Sequence, residues 1–91
     1  MIPFLETPTD IIKRTAADFR ALRKARGITI KELSEKSGVS YSSIKRFEHT
    51  GEVSFLALTR MASVLHVEDR IRTLFDDIPP ASIEEVLRGQ R

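Results

Sequence analysis

The stretch Gly27-Ile28-Thr29-Ile30-Lys31-Glu32-Leu33-Ser34-Glu35-Lys36-Ser37-Gly38-Val39-Ser40-Tyr41-Ser42-Ser43-Ile44-Lys45-Arg46-Phe47-Glu48 decides the fold. Thr29 to Glu32 reads as a capping box: the Thr29 hydroxyl accepts from the Glu32 amide while the Glu32 side chain reaches back. This opens a short helix over about 30–37 with Leu33 turned inward. Gly38 breaks it, and Ser40 is a suitable N-cap for another helix over 41–49, with Ile44 and Phe47 inward. Only Gly38-Val39-Ser40 separate the two, and a link this tight joins helices at a steep angle. Gly38 supplies the unusual backbone, Val39 fills the gap in the core, and Ser34 is small enough to let the helices approach.

Two helices so joined form a helix-turn-helix, whose second helix projects its N-terminus away from the body. The outward positions of that helix are Tyr41, Ser42, Lys45 and Arg46. All are polar and none is acidic, which suits a negative, hydrogen-bond-rich groove.

Working outward, Ile12, Ala16, Phe19 and Leu22 recur at steps of four, three and three, an apolar stripe on a helix over about 9–26. Gly27 ends it, where a left-handed residue is needed. Gly51 closes the 41–49 helix. Ser54 caps a fourth, running to about Leu65, with Phe55, Leu58, Met61, Ala62 and Leu65 expected inward. Val67, Ile71, Leu74 and Phe75 are spaced for a fifth. Pro79-Pro80 stops the helices, and Ser82-Ile83-Glu84-Glu85 is a second capping-box pattern that predicts a short helix through Leu87. The start, Ile2-Pro3-Phe4-Leu5, is the one weak strand signal, confined by its proline to an edge or an arm. The expected organisation is an N-terminal arm (1–8), a five-helix domain (9–75) and an acidic, then amphipathic tail (76–91).

Composition narrows the function. Of the 91 residues 41% are hydrophobic and 31% charged, ordinary for a folded domain rather than a disordered chain. There is no Cys, so no disulfide, thiolate metal site or thiol nucleophile is available. No apolar run spans a membrane, and the start has no basic n-region of a secretory signal, so the expected compartment is the cytosol. Residues 1–51 hold ten Lys/Arg against six Asp/Glu, a surplus of four; residues 52–91 hold five against seven, a deficit of two. The basic excess is densest from Lys13 to Arg26. A cationic half joined to an anionic half suits a polyanion on one face and something else on another. Lys13, Arg14 and Arg20 themselves read better as a solvated helix face.

Catalysis finds no inventory. His49 and His66 lack ligand spacing, Ser42-Ser43 have no neighbouring base, and Asp76-Asp77 and Glu84-Glu85 lie by the prolines where no cleft encloses them. There is no Gly-rich phosphate loop. The expectation is no enzyme, no cofactor and no metal.

Leu22-Arg23, Gly27-Ile28-Thr29, Leu33, Gly38-Val39-Ser40, Ile44, Phe47-Glu48, Gly51, Leu58, Ala62 and Leu65 together resemble the DNA-binding domain of the phage-repressor, Cro and Xre family. The likeness covers about 19–74 without a gap. It implies an all-α, five-helix, lambda-repressor-like helix-turn-helix domain that binds double-stranded DNA as a transcriptional repressor, associated with the nucleoid when bound. Tyr41, Ser42, Lys45 and Arg46 would then read base edges, Arg46 as the first choice for a guanine. Tyr41 also reads as a packing residue at the helix start. Thr29, Lys31, Ser40, Ser43 and His49 would lie along the DNA backbone; a surface cap is an equal reading of His49. Arg23 and Glu48 stand where the family often has a buried ion pair joining the first and third helices. Ile30 departs from the family, which often has a phosphate-contacting Gln there.

Family members usually bind palindromic operators as twofold dimers. Ile71, Leu74, Phe75 and Ile78, with Ile2, Phe4 and Leu5 in the arm, supply apolar surface for a homodimer or else cover their own core. The tail resembles antitoxins of the HipB type, which implies a HipA-like kinase toxin as partner. A stand-alone phage-type repressor, or a protein-binding module that has lost DNA binding, are the other readings.

Overall fold

In this computed structural model, which describes residues 5–77 and 87–89, five helices follow one another before residue 77. They are α1 (Pro8–Ala25), α2 (Ile30–Ser37), α3 (Tyr41–Thr50), α4 (Phe55–Val64) and α5 (Glu68–Arg72). The fold is all-α, with no strand among the described residues.

Local chemistry sets most boundaries. α1 starts slightly ahead of the expected position because Thr7 and Asp10 form a capping box of their own. The Thr7 hydroxyl accepts from the Asp10 amide and Asp10 Oδ2 from the Thr7 amide, both at 3.1 Å, with Pro8 at the first helical position, where its missing N–H costs nothing. Thr29 and Glu32 cap α2 reciprocally at 3.0 and 3.1 Å. Ser40 and Ser54 cap α3 and α4 by accepting from the Ser43 and Ala57 amides. Gly38 takes φ +77° between α2 and α3, the left-handed backbone the tight turn requires.

The inward faces meet in one core of Ala16, Phe19, Leu33, Val39, Ile44, Phe47, Met61, Ala62 and Leu65. α1 packs against α3 through an edge-to-face pair, Phe19 and Phe47, with ring centroids 5.2 Å apart. α2 packs on α3 and α4, so α3 is braced from two sides. Val39 is buried under the turn.

Several apolar residues depart from expectation. Phe55 is 61% exposed rather than inward. It occupies the first position of α4 and sits on the rim of a groove lined by Ile12, Thr15, Gly51, Val53 and Leu58. Ile12 is itself partly exposed although it meets the body with both backbone and side chain: a Cβ at Gly51 would stand 2.8 Å from the Ile12 carbonyl and from its Cγ1. The fifth helix stops at Arg72. Thr73 caps it with its amide on the Asp69 carbonyl, and the chain goes on in turns that leave Leu74 exposed and Phe75 78% exposed. So short a helix rests on its packing against α4, through the half-buried Val67 and Ile71. The expected arm strand at Ile2 to Phe4, the stop at Pro79-Pro80 and the capping box at Ser82 to Glu85 lie outside the described residues. So do the apolar Ile78, Ile83 and Val86. Leu5 and Leu87 are exposed. No helix among the described residues is long and apolar enough to cross a membrane.

Candidate nucleic-acid interface

α3 carries the candidate interface. Ile44 and Phe47 hold one side of the helix in the core, and the opposite side carries Tyr41, Ser42, Ser43, Lys45, Arg46 and His49, all exposed. The helix stands as a ridge between two clefts. Arg20, Ile30, Lys45, Glu48 and His49 line one; Ser43, Arg46, Glu52, Val53, Ser54 and Ala57 line the other.

The candidate side chains form three groups along this ridge. At its start, Ser40 Oγ accepts from the Ser43 amide and donates to Ser43 Oγ at 2.7 Å, with Ser42 Oγ 3.4 Å away. One turn on, Lys45 Nζ lies 5.9 Å from the centre of the Tyr41 ring, within cation–π range. Tyr41 is thus on the surface under a cation, not in the core. Arg46 faces the second cleft, where Nη2 is 3.3 Å from Glu52 Oε2. His49 faces the first cleft, away from Arg46. Thr29 and Lys31 are exposed at the start of α2, with the Thr29 hydroxyl already engaged by its cap.

A buried ion pair holds this helix to α1. Arg23 donates through Nε to Glu48 Oε2 at 2.7 Å and through Nη2 to Oε1 at 2.9 Å, and its Nη1 reaches the Ile28 carbonyl at 2.8 Å. The side chains are 7% and 5% exposed, so the contacts are almost free of water. The hydrogen bonds to Glu48 raise the Arg23 pKa further, so its charge is permanent.

Part of the basic stretch of α1 has partners within the chain. Arg14 pairs with Glu6 at 2.8 Å, Arg20 approaches Glu48 at 3.8 Å, Arg23 is buried, and Arg26 donates to the Leu65 carbonyl. Arg14 and Arg20 are nevertheless 63% and 57% exposed, and Lys13 and Lys24 are exposed too, so this stretch is a solvated basic face beside the outward Lys45 and Arg46 of α3. Sequence reading missed Glu52. It is not on α3, but the turn at Gly51 returns it beside Arg46. An acid directly after a helix-closing glycine is the one signal that points to it.

Two short helices packed together across a three-residue turn, the second with an outward polar side, define a helix-turn-helix domain. A family model described as Helix-turn-helix matches residues 19–70, more than half of the chain. The chain belongs to this Cro/phage-repressor (Xre) type of helix-turn-helix family, and its class is that of a DNA-binding transcription regulator. No curated protein and no solved structure matches it.

Proposed function

We propose that the protein is a sequence-specific repressor that lays α3 in the major groove of double-stranded DNA. The observation that carries this reading is the exposed row Tyr41, Ser42, Lys45 and Arg46 on a helix whose other side is locked by core packing and the Arg23–Glu48 pair. Arg46 reads a guanine edge, where a guanidinium reaches both O6 and N7. Tyr41, Ser42 and Lys45 contact neighbouring bases. Thr29, Lys31, Ser40 and Ser43 lie along the phosphates at the starts of α2 and α3, where helix N-termini favour anions, and His49 approaches a phosphate from the end of α3. The protein binds a palindromic operator as a homodimer. It represses its own promoter as the antitoxin of a HipA-like kinase toxin that its acidic and amphipathic tail engages.

Purification from the native locus, with sequencing of bound DNA and identification of bound protein, tests this. A stoichiometric larger protein together with DNA of the chain's own promoter supports the whole reading. DNA alone leaves a stand-alone repressor and removes the antitoxin role. On the DNA so found, Arg46→Ala is expected to cost about 1–3 kcal/mol and relax preference at one base pair; unchanged operator affinity removes Arg46 from the reading face.

A further inference from the structure

We propose that Glu52 is a specificity-determining residue that positions Arg46 for a base edge and keeps it from phosphates. The proposal rests on the reading of α3 as the recognition helix. Arg46 and Glu52 are both well exposed, at 67% and 60%, and nothing in the core forces them together. The backbone does. α3 ends at Gly51 with φ +85°, and a Cβ there would lie 2.8 Å from the backbone of Ile12. The turn is thus pressed against α1 and has one course. Thr50 holds it from the other side: its hydroxyl donates to the Arg46 carbonyl at 2.8 Å and accepts from the Glu52 amide at 3.1 Å. Glu52 is returned to the cleft beside the guanidinium it would otherwise have passed.

A carboxylate here discriminates between the two acceptors that DNA offers. Arg46 has five N–H donors in a planar fork, so it can give two to the neutral O6 and N7 of guanine while another stays on Glu52. A phosphate reaching the same guanidinium brings a second anion next to the carboxylate, and like charges this close repel. Phosphates occur on every sequence, whereas the guanine edge occurs only at the right base pair. Glu52 therefore weakens non-operator binding more than operator binding. At 3.3 Å the pair is long for a charged hydrogen bond and exposed to water, so the expected effect is modest.

Selection from a pool of randomised duplex DNA with the full chain tests this, followed by titration of the selected duplex and its scrambled counterpart at several salt concentrations. Glu52→Gln keeps the shape and removes the charge. It is expected to tighten binding to the scrambled duplex by about two- to five-fold, the range that one exposed ion pair can supply. It should also steepen the salt dependence there by about one phosphate contact, and broaden the selected base at one position. In an Arg46→Ala background the same change should have little effect. An unchanged ratio of selected to scrambled affinity overturns the proposal and leaves the recognition helix standing. An equal gain with Arg46 absent also overturns it, since the charge would then act on the duplex directly. If the unsubstituted chain shows no salt-dependent DNA binding, both readings fall.

Discussion

Arg23 and Glu48 are the most consequential single residues outside the DNA face. Paired, they roughly offset their own desolvation; separated, one leaves a charge in the protein interior. Glu48→Ala is expected to destabilise the domain by about 3–5 kcal/mol, a large part of the stability of a chain this size. Urea titration checks it, and a loss below about 1 kcal/mol would show that water reaches Arg23. His66 presents the opposite case. It sits just past α4 at φ +60°, with its amide on the Ser63 carbonyl and the Val67 amide on the Ala62 carbonyl. The same two-bond motif ends α1, where Gly27 holds the left-handed position at φ +69° and bonds run to Lys24 and Arg23. An L-residue is strained there by roughly 1–2 kcal/mol, partly offset by the greater unfolded freedom of glycine. His66→Gly is therefore expected to stabilise by up to about 1 kcal/mol, a rise in Tm of several degrees. A fall in Tm would mean that the imidazole makes contacts worth more than the strain.

Helix ends decide the acid behaviour of α1 and α2. Asp10 and Glu32 each accept a hydrogen bond from the backbone amide of their capping threonine, whose hydroxyl lies alongside, and this holds both carboxyls below their ordinary values of 3.8 and 4.5. The folded state thus binds fewer protons than the unfolded one. The capping contribution is complete above the ordinary values and is lost as pH falls through the lowered ones. Stability followed by far-ultraviolet circular dichroism should fall as the solution is acidified below about pH 4.5. Glu32→Gln, which hydrogen-bonds without titrating, should flatten part of that fall. An identical acid profile in both proteins would place the titration elsewhere.

At the scale of the molecule, the described residues include two unlike surfaces. α3 shows a polar, basic row, while the segment beyond α5 shows Leu74 and Phe75 to solvent. One recognition helix reads few base pairs, and in the proposed homodimer a second copy at a fixed spacing would add the rest. The exposed pair beyond α5 is apolar surface suited to that contact in the homodimer proposed above. Phe75→Glu should then convert a dimer to a monomer in sedimentation, and weaken operator binding by at least about tenfold as the linked second half-site is lost. A variant that stays dimeric moves the interface to another surface.

Much of this was legible in the chain because it is local. Capping hydroxyls, helix-ending glycines and the Gly38-Val39-Ser40 turn act within five residues, so Ser40, Ser54, the Thr29–Glu32 box and the inward Ile44 and Phe47 could be read directly. The outward row on α3 follows from the same periodicity. What the linear chain could not show depends on which surfaces meet. Whether Arg14, Arg20 and Arg26 are free cations depends on Glu6, Glu48 and the Leu65 carbonyl, and two of those partners lie far away in sequence. Phe55, Leu74 and Phe75 carry helical spacing, yet their exposure depends on where α1 and α4 leave room. Glu52 comes beside Arg46 through a turn in which Gly51 is packed against Ile12 and Thr50 bonds both the Arg46 carbonyl and the Glu52 amide. Sequence alone determined the helices and the face that α3 turns outward, since backbone hydrogen bonds and side-chain period are short-range. Tertiary structure alone decided which charges acquire a partner, Arg23 with Glu48 and Arg46 with Glu52, since charges pair through space and not along the chain.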